Sequence, residues 1–136
     1  MNNLYDLWEK EHKDGIYLGE EKNKIDENVT ICYNYNTIYL IGEEYRSLMK
    51  RPKLLFTQID KNTYKIEDIY CIHNNIGNGT LLIKGLERYI KQTNSDKNIK
   101  IIGFLSDIDK NHKERQICFY KKNGFSIIEN HIKKLL

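Results

Sequence analysis

The hydrophobic period of this chain changes once within a short span, and the octapeptide HNNIGNGT, residues 73–80, marks the change. Before it, TYKIEDIYCI reads as a β-strand. After it, Leu82, Leu86, Tyr89 and Ile90 follow the i, i+4, i+7, i+8 stripe of a core-facing helix that ends near Thr93-Asn94-Ser95. A strand that enters a glycine loop and leaves as a helix is a device for holding an anion. The first turn of such a helix has backbone N–H groups without intrahelical acceptors, and its dipole favours negative charge. Gly77 and Gly79 remove the Cβ that would keep a phosphate from the main chain, while Asn74, Asn75 and Asn78 add donors and tolerate left-handed backbone. Neither common nucleotide motif fits. A P-loop needs Lys and Ser or Thr after its second glycine, where Thr80-Leu81 stands here, and a dinucleotide fingerprint needs Gly or Ala at Leu82. An ordinary strand-to-helix loop with a glycine turn is the alternative reading of the same residues.

The remaining pattern describes one α/β domain. A chain of 136 residues with 40% hydrophobic content is long enough for a real core. Charged residues make up 30% with both signs interspersed, and 22 basic against 19 acidic residues leave no large surplus for the phosphates of nucleic acid. No stretch approaches the roughly 20 apolar residues that span a bilayer, and MNNLYDLWEKEHK lacks the apolar core of a signal peptide, so a cytoplasmic protein without membrane partners is expected. Cys32, Cys71 and Cys118 are odd in number and far apart, which points to free thiols that serve as small buried hydrophobes. No His, Cys and acid cluster has metal-ligand spacing.

Along the chain, Leu4, Leu7 and Trp8 predict a short helix within residues 3–12. Residues 28–41 alternate on both sides of Asn34–Asn36 and predict one long bent strand or a hairpin. LLFTQI and TYKIEDIYCI, separated by Asp60-Lys61-Asn62, predict two antiparallel strands. Residues 99–105 are an unbroken apolar run with one glycine, read as a buried strand. A helix carrying Arg115, Ile117, Phe119 and Tyr120 follows and stops at Asn123-Gly124, and FSIIENHIKKLL supplies a final strand with a helical end.

The octapeptide resembles the acyl-CoA pyrophosphate loop of the GNAT superfamily of N-acetyltransferases, whose pattern is Arg/Gln-x-x-Gly-x-Gly/Ala before a leucine-rich helix. Here it is Asn74-Asn75-Ile76-Gly77-Asn78-Gly79, then TLLIKGLERYI. About 40 residues later the superfamily tends to carry an aromatic pair, a polar spacer and Gly-Phe, and this chain has FYKKNGF, residues 119–125. GFLSDIDKNHKERQICFYKKNGF is similar to a subgroup in which Leu-Ser, Asp, His and Arg lead into the Phe-Tyr helix. The resemblance covers residues 64–129. It implies a mixed, mostly antiparallel sheet flanked by helices, with a shortened N-terminal half. One departure is Asn74, which stands where the family has Arg or Gln.

What the resemblance implies is transfer of an acetyl group from acetyl-CoA, as co-substrate, to a primary amine of an unknown acceptor, small molecule or protein. Such a transfer needs a base for the amine proton, a donor to the oxyanion and an acid for the departing thiolate. Tyr120 lies where relatives carry the tyrosine that protonates sulfur. Glu67 and Asp68 are the candidates for taking the amine proton, and the strand alternation puts Glu67 on the face of Ile69 and Cys71. His73 and His112 are further candidates for that base. The loop Asn74 to Thr80 would hold the pyrophosphate, a main-chain N–H near Cys71 or Ile72 would face the acyl oxygen, and Asn111 or Lys113 would meet the CoA arm. Two other classes fit the same residues: a GNAT-fold regulatory or binding module without catalysis, and a partner of macromolecules through Lys121-Lys122 and Lys133-Lys134, runs that are usually solvated surface. The C-terminal strand at an open sheet edge offers a route to a homodimer.

Overall fold

The computed structural model describes residues 15–43, 45, 50–71, 77–106 and 110–136. In chain order its elements are β1 (Ile16–Lys22), β2 (Asn28–Asn34), β3 (Thr37–Ile41), β4 (Lys53–Asp60), β5 (Thr63–Tyr70), α1 (Asn78–Thr93), β6 (Lys100–Phe104), α2 (Lys110–Lys122), β7 (Ser126–Ile128) and β8 (His131–Leu135). Among the described residues the eight strands form one mixed, mostly antiparallel sheet in the order β1-β2-β3-β4-β5-β6-β8-β7. The chain divides into two compact units: residues 1–55 with 68–94, and residues 56–67 with 95–136. The helix predicted within residues 3–12 lies outside the described residues.

In unit one, β2 and β3 are a hairpin, the second of the two geometries that the alternation allowed. Tyr35 and Asn36 form its two-residue turn with φ of 48° and 56°, the left-handed pair that matches strand twist. β1 pairs antiparallel with β2 and was missed from sequence for a definable reason. Its register slips between Tyr17 and Gly19, with Gly19 at φ 112°, so Leu18 is an extra, buried residue that breaks the alternation. Helix α1 packs on β1, β2 and β3 with Leu82, Leu86 and Ile90 fully buried. The close approach depends on Gly85, where an added Cβ would lie 2.5 Å from Ile31 Cγ2 and 2.7 Å from Ile38 Cγ2. Farther along the helix, Tyr33 and Tyr89 stack with centroids 4.1 Å apart. Arg88 donates to the Leu18 carbonyl at 2.9 Å and to the Glu21 carboxylate, and Lys84 reaches the same carboxylate at 2.6 Å. The hydrogen bond from Lys84, joined by that from Arg88, holds the Glu21 carboxyl below the usual carboxylate range against partial desolvation.

In unit two, β6 runs parallel to β5 and antiparallel to β8, which turns through Glu129-Asn130 from β7. The tail is therefore a hairpin rather than a single strand with a helical end. Glu129 at φ 56° occupies a left-handed turn position that an acidic residue seldom signals. β6 departs from its reading as a strand buried on both faces: Ile101 and Gly103 are buried, but Phe104 is exposed. Ile66, Ile101 and Ile132 form the buried side, together with Tyr120 from α2 and Phe125 beyond it. The end of α2 follows the expected stop. Gly124 adopts φ 89°, its N–H bonds the Lys121 carbonyl at 3.1 Å, and the Phe125 N–H bonds the Tyr120 carbonyl at 3.0 Å, a Schellman pair.

Gly85→Val adds two methyl groups where the first Cβ already clashes with β-branched side chains fixed in the sheet. The variant is expected to lose about 1–3 kcal/mol of stability, read by urea unfolding as a lower midpoint with an unchanged slope.

Candidate functional site

The first helical bond of α1 runs from the Leu81 N–H to the Gly77 carbonyl at 3.1 Å. The N–H groups of Asn78, Gly79 and Thr80 precede it and have no acceptor within the helix. Gly77 is the N-cap in the left-handed region, φ 89° and ψ 4°, and no side chain among the described residues caps the helix. A non-glycine residue would be strained there, and its Cβ would lie 3.2 Å from Lys24 Cγ and 3.5 Å from the Lys24 main-chain N. The charge arrangement runs opposite to the usual one. The first turn holds no acidic residue, while the stem of a lysine lies against the positive end of the helix dipole.

Residues distant in sequence hold this helix end in place. Asn23, buried, accepts from the main-chain N–H groups of Ile25 and Glu27 at 3.1 and 3.0 Å and donates to Glu27 Oε1 at 2.8 Å, which shapes the loop carrying Lys24. Tyr45 Oη makes a long hydrogen bond of 3.5 Å to the same Glu27 oxygen and accepts from Asn78 Nδ2 at 3.1 Å. Asn78 is 1% exposed, so its side chain is an inward anchor and only its main chain faces the helix end. Among the described residues its Oδ1 meets no donor, a cost of about 1–3 kcal/mol set against the anchoring.

Of the predicted loop, Gly77, Asn78, Gly79 and Thr80 form this helix end. Ile72, His73, Asn74, Asn75 and Ile76 lie outside the described residues. Cys71 and Asp68 belong to unit one with α1. Glu67, Asn111, His112, Lys113 and Tyr120 belong to unit two. Glu67 is exposed, with its carboxylate 3.7 Å from Lys65 Nζ. Asn111, His112 and Lys113 occupy the start of α2, Asn111 exposed and the other two half-buried. Tyr120 is buried, its ring edge-on to Phe119 and Phe125 at centroid distances of 5.1 and 5.3 Å. Burial pushes the Cys71 thiol up to about 11, which keeps it protonated and unreactive at neutral pH. Burial raises Cys32 further, to about 12, against the opposing hydrogen bond with Tyr39 and the charge of Arg51.

Sequence reasoning missed Asn23, Lys24, Glu27 and Tyr45. Only Asn23 carried a local signal, an Asn before a polar turn; Tyr45 reaches Asn78 across 33 positions. A separate shallow groove of about 330 Å³ lies in unit one, lined among others by Tyr35, Tyr39, Arg51 and Lys53, and contains none of the predicted site residues. Among the described residues no group of three His, Cys, Asp or Glu side chains is arranged to hold a metal ion, and no helix is long and apolar enough to cross a membrane. Comparison with protein-family models, with curated proteins and with solved structures finds no match to this chain.

The thiols give a direct check on the burial pattern. Cys118 is exposed rather than buried as its sequence reading expected, and it should be alkylated by iodoacetamide first. A thiol raised to about 11 has only about one thiolate per thousand at pH 8. Cys71 should therefore react slowly and speed up about tenfold per pH unit until pH approaches 11, with Cys32 slower still, as followed by mass spectrometry of labelled peptides.

Proposed function

We propose that this protein is an acetyl-CoA-dependent N-acetyltransferase acting on a primary amine. The observation that carries the reading is the start of α1: three N–H groups without acceptors in the helix behind a left-handed Gly77, with no acid in the first turn and Lys24 alongside. That donor set suits a pyrophosphate, because main-chain N–H groups, helix dipole and lysine all favour negative charge. A second observation adds to it. The parallel ladder of β5 and β6 covers Thr63–Lys65 against Lys100–Ile102 and stops, while β5 continues through Glu67 and β6 through Phe104. Strands that part in this way leave main-chain groups for the pantetheine arm, as the likeness to GNAT enzymes implies.

In this reading acetyl-CoA supplies an activated thioester. Glu67 or Asp68 takes the proton of the attacking amine, a main-chain N–H near Cys71 or Ile72 donates to the acyl oxygen, and the Tyr120 hydroxyl gives a proton to the departing sulfur. Asn111 and Lys113 contact the CoA arm. Cys71 has no part as nucleophile, since burial keeps its thiol neutral.

A second reading, a binding module without catalysis, has its own support in the burial of Tyr120 between two aromatic rings. Two variants separate the readings. Lys24→Glu reverses a charge beside the helix end; calorimetry should show acetyl-CoA affinity lower by about tenfold, or about 1.4 kcal/mol. The melting temperature should not fall, because an acid near a helix N-terminus is favourable. No binding by the unaltered protein would refute the acetyltransferase reading. Tyr120→Phe should leave acetyl-CoA affinity intact and lower kcat by about a hundredfold or more in an amine-acceptor screen. Unchanged turnover would remove Tyr120 from the chemistry.

A further inference from the structure

The sheet face of unit two that turns away from α2 holds an ordered set of cations and exposed rings. Cross-strand partners share a face. In one row Lys65 lies beside Ile102 and Ile102 beside Lys133; in the next Phe104 lies beside His131 and His131 beside Ile128; Lys100 lies beside Leu135. The opposite side is the buried one, with Ile101, Gly103 and Ile132. On the open side Phe104 is 53% exposed, Leu135 69% and Ile128 74%. The Phe104 and His131 rings are 4.6 Å apart, and Lys65 Nζ stands 5.1 Å from the Phe104 centroid. Two acids adjoin these lysines: Glu67, 3.7 Å from Lys65, and Asp60, whose carboxyl is held down by the Asn62 N–H, by Thr63 and in part by the charge of Lys100.

We propose that this face binds single-stranded nucleic acid. Exposed rings in the middle of a sheet offer a flat platform on which unpaired bases stack without hydrogen-bond readout, and lysines in the adjoining rows meet the phosphates. Three lysines against Glu67 and Asp60 leave a small local cationic surplus that the near-balanced composition of the whole chain conceals. A second copy of the chain is the less suitable occupant, because face-to-face packing would bring six lysines together (three from each copy). A duplex hides its base faces, so Phe104 has nothing to stack on there.

The test is fluorescence anisotropy of the full chain with a short labelled oligouridine and with a duplex of equal length, over a salt titration. Three phosphate contacts predict a log–log salt slope of about 2 for the single strand. Phe104→Ala should weaken that binding about fivefold or more, Phe104→Tyr should retain it, and Lys133→Glu should weaken it and lower the slope by about 0.7. Both sites are exposed, and an unchanged melting temperature shows that each variant is folded. The proposal is overturned by no oligouridine binding at low salt, by binding that Phe104→Ala leaves intact, or by a dimer that Leu135→Glu dissolves.

Discussion

The start of α1 depends on one side chain that sequence distance separates from it. Tyr45 Oη receives the Asn78 amide and reaches Glu27, which Asn23 holds, so a single hydroxyl joins the helix N-terminus to the loop bearing Lys24. Each bond is worth only about 0.5–1.5 kcal/mol, but the three act on one point. They fix the direction of the first turn, whose Asn78, Gly79 and Thr80 N–H groups have no acceptor within the helix. A left-handed Gly77 completes the turn, and its lack of a Cβ leaves room for Lys24 to approach.

The rest of α1 follows from a second contact, at Gly85, seven residues and about 10 Å farther along the helix. Gly85 lets the helix axis close on Ile31 and Ile38, and Arg88 and Lys84 then reach Glu21 on β1. Apolar packing and charge therefore act at different places along the same helix. Gly85 sets depth, the Glu21 pair sets lateral position, and the Asn78–Tyr45 bond sets the end. Sliding the helix by one residue would break all three.

The fold was legible where a pattern is local. The stripe of Leu82, Leu86 and Ile90 marked α1, the Asn-rich break at Asn34–Asn36 allowed the hairpin, and Asn123-Gly124 marked the end of α2. Three features escaped for physical reasons. The bulge at Leu18 erased the period of β1, Glu129 gave no turn signal for the last hairpin, and the apolar run at β6 concealed that only alternate side chains are buried. Of the candidate site, the glycine loop and its helix could be read directly, because left-handed backbone and free amides are properties of neighbouring residues. Asn23, Lys24 and Tyr45 could not, since their part is defined only by folding.

Charge shows the same limit from the other direction. A net charge of +3 on 136 residues carries little information about partners. The fold sorts those charges: Lys24 comes to a helix end whose first turn has no acid, and Lys65, Lys100 and Lys133 come to one sheet face because the alternation of three neighbouring strands turns them the same way. Alternation is what makes the second grouping, since Lys134, one position after Lys133, turns to the opposite side and donates to the Asn123 carbonyl at 2.8 Å beside Phe125. One lysine of the pair is a structural clamp on the end of α2 and the other is available to a ligand. A Lys-Lys run therefore cannot be classed as surface charge or binding patch until the strand register divides it.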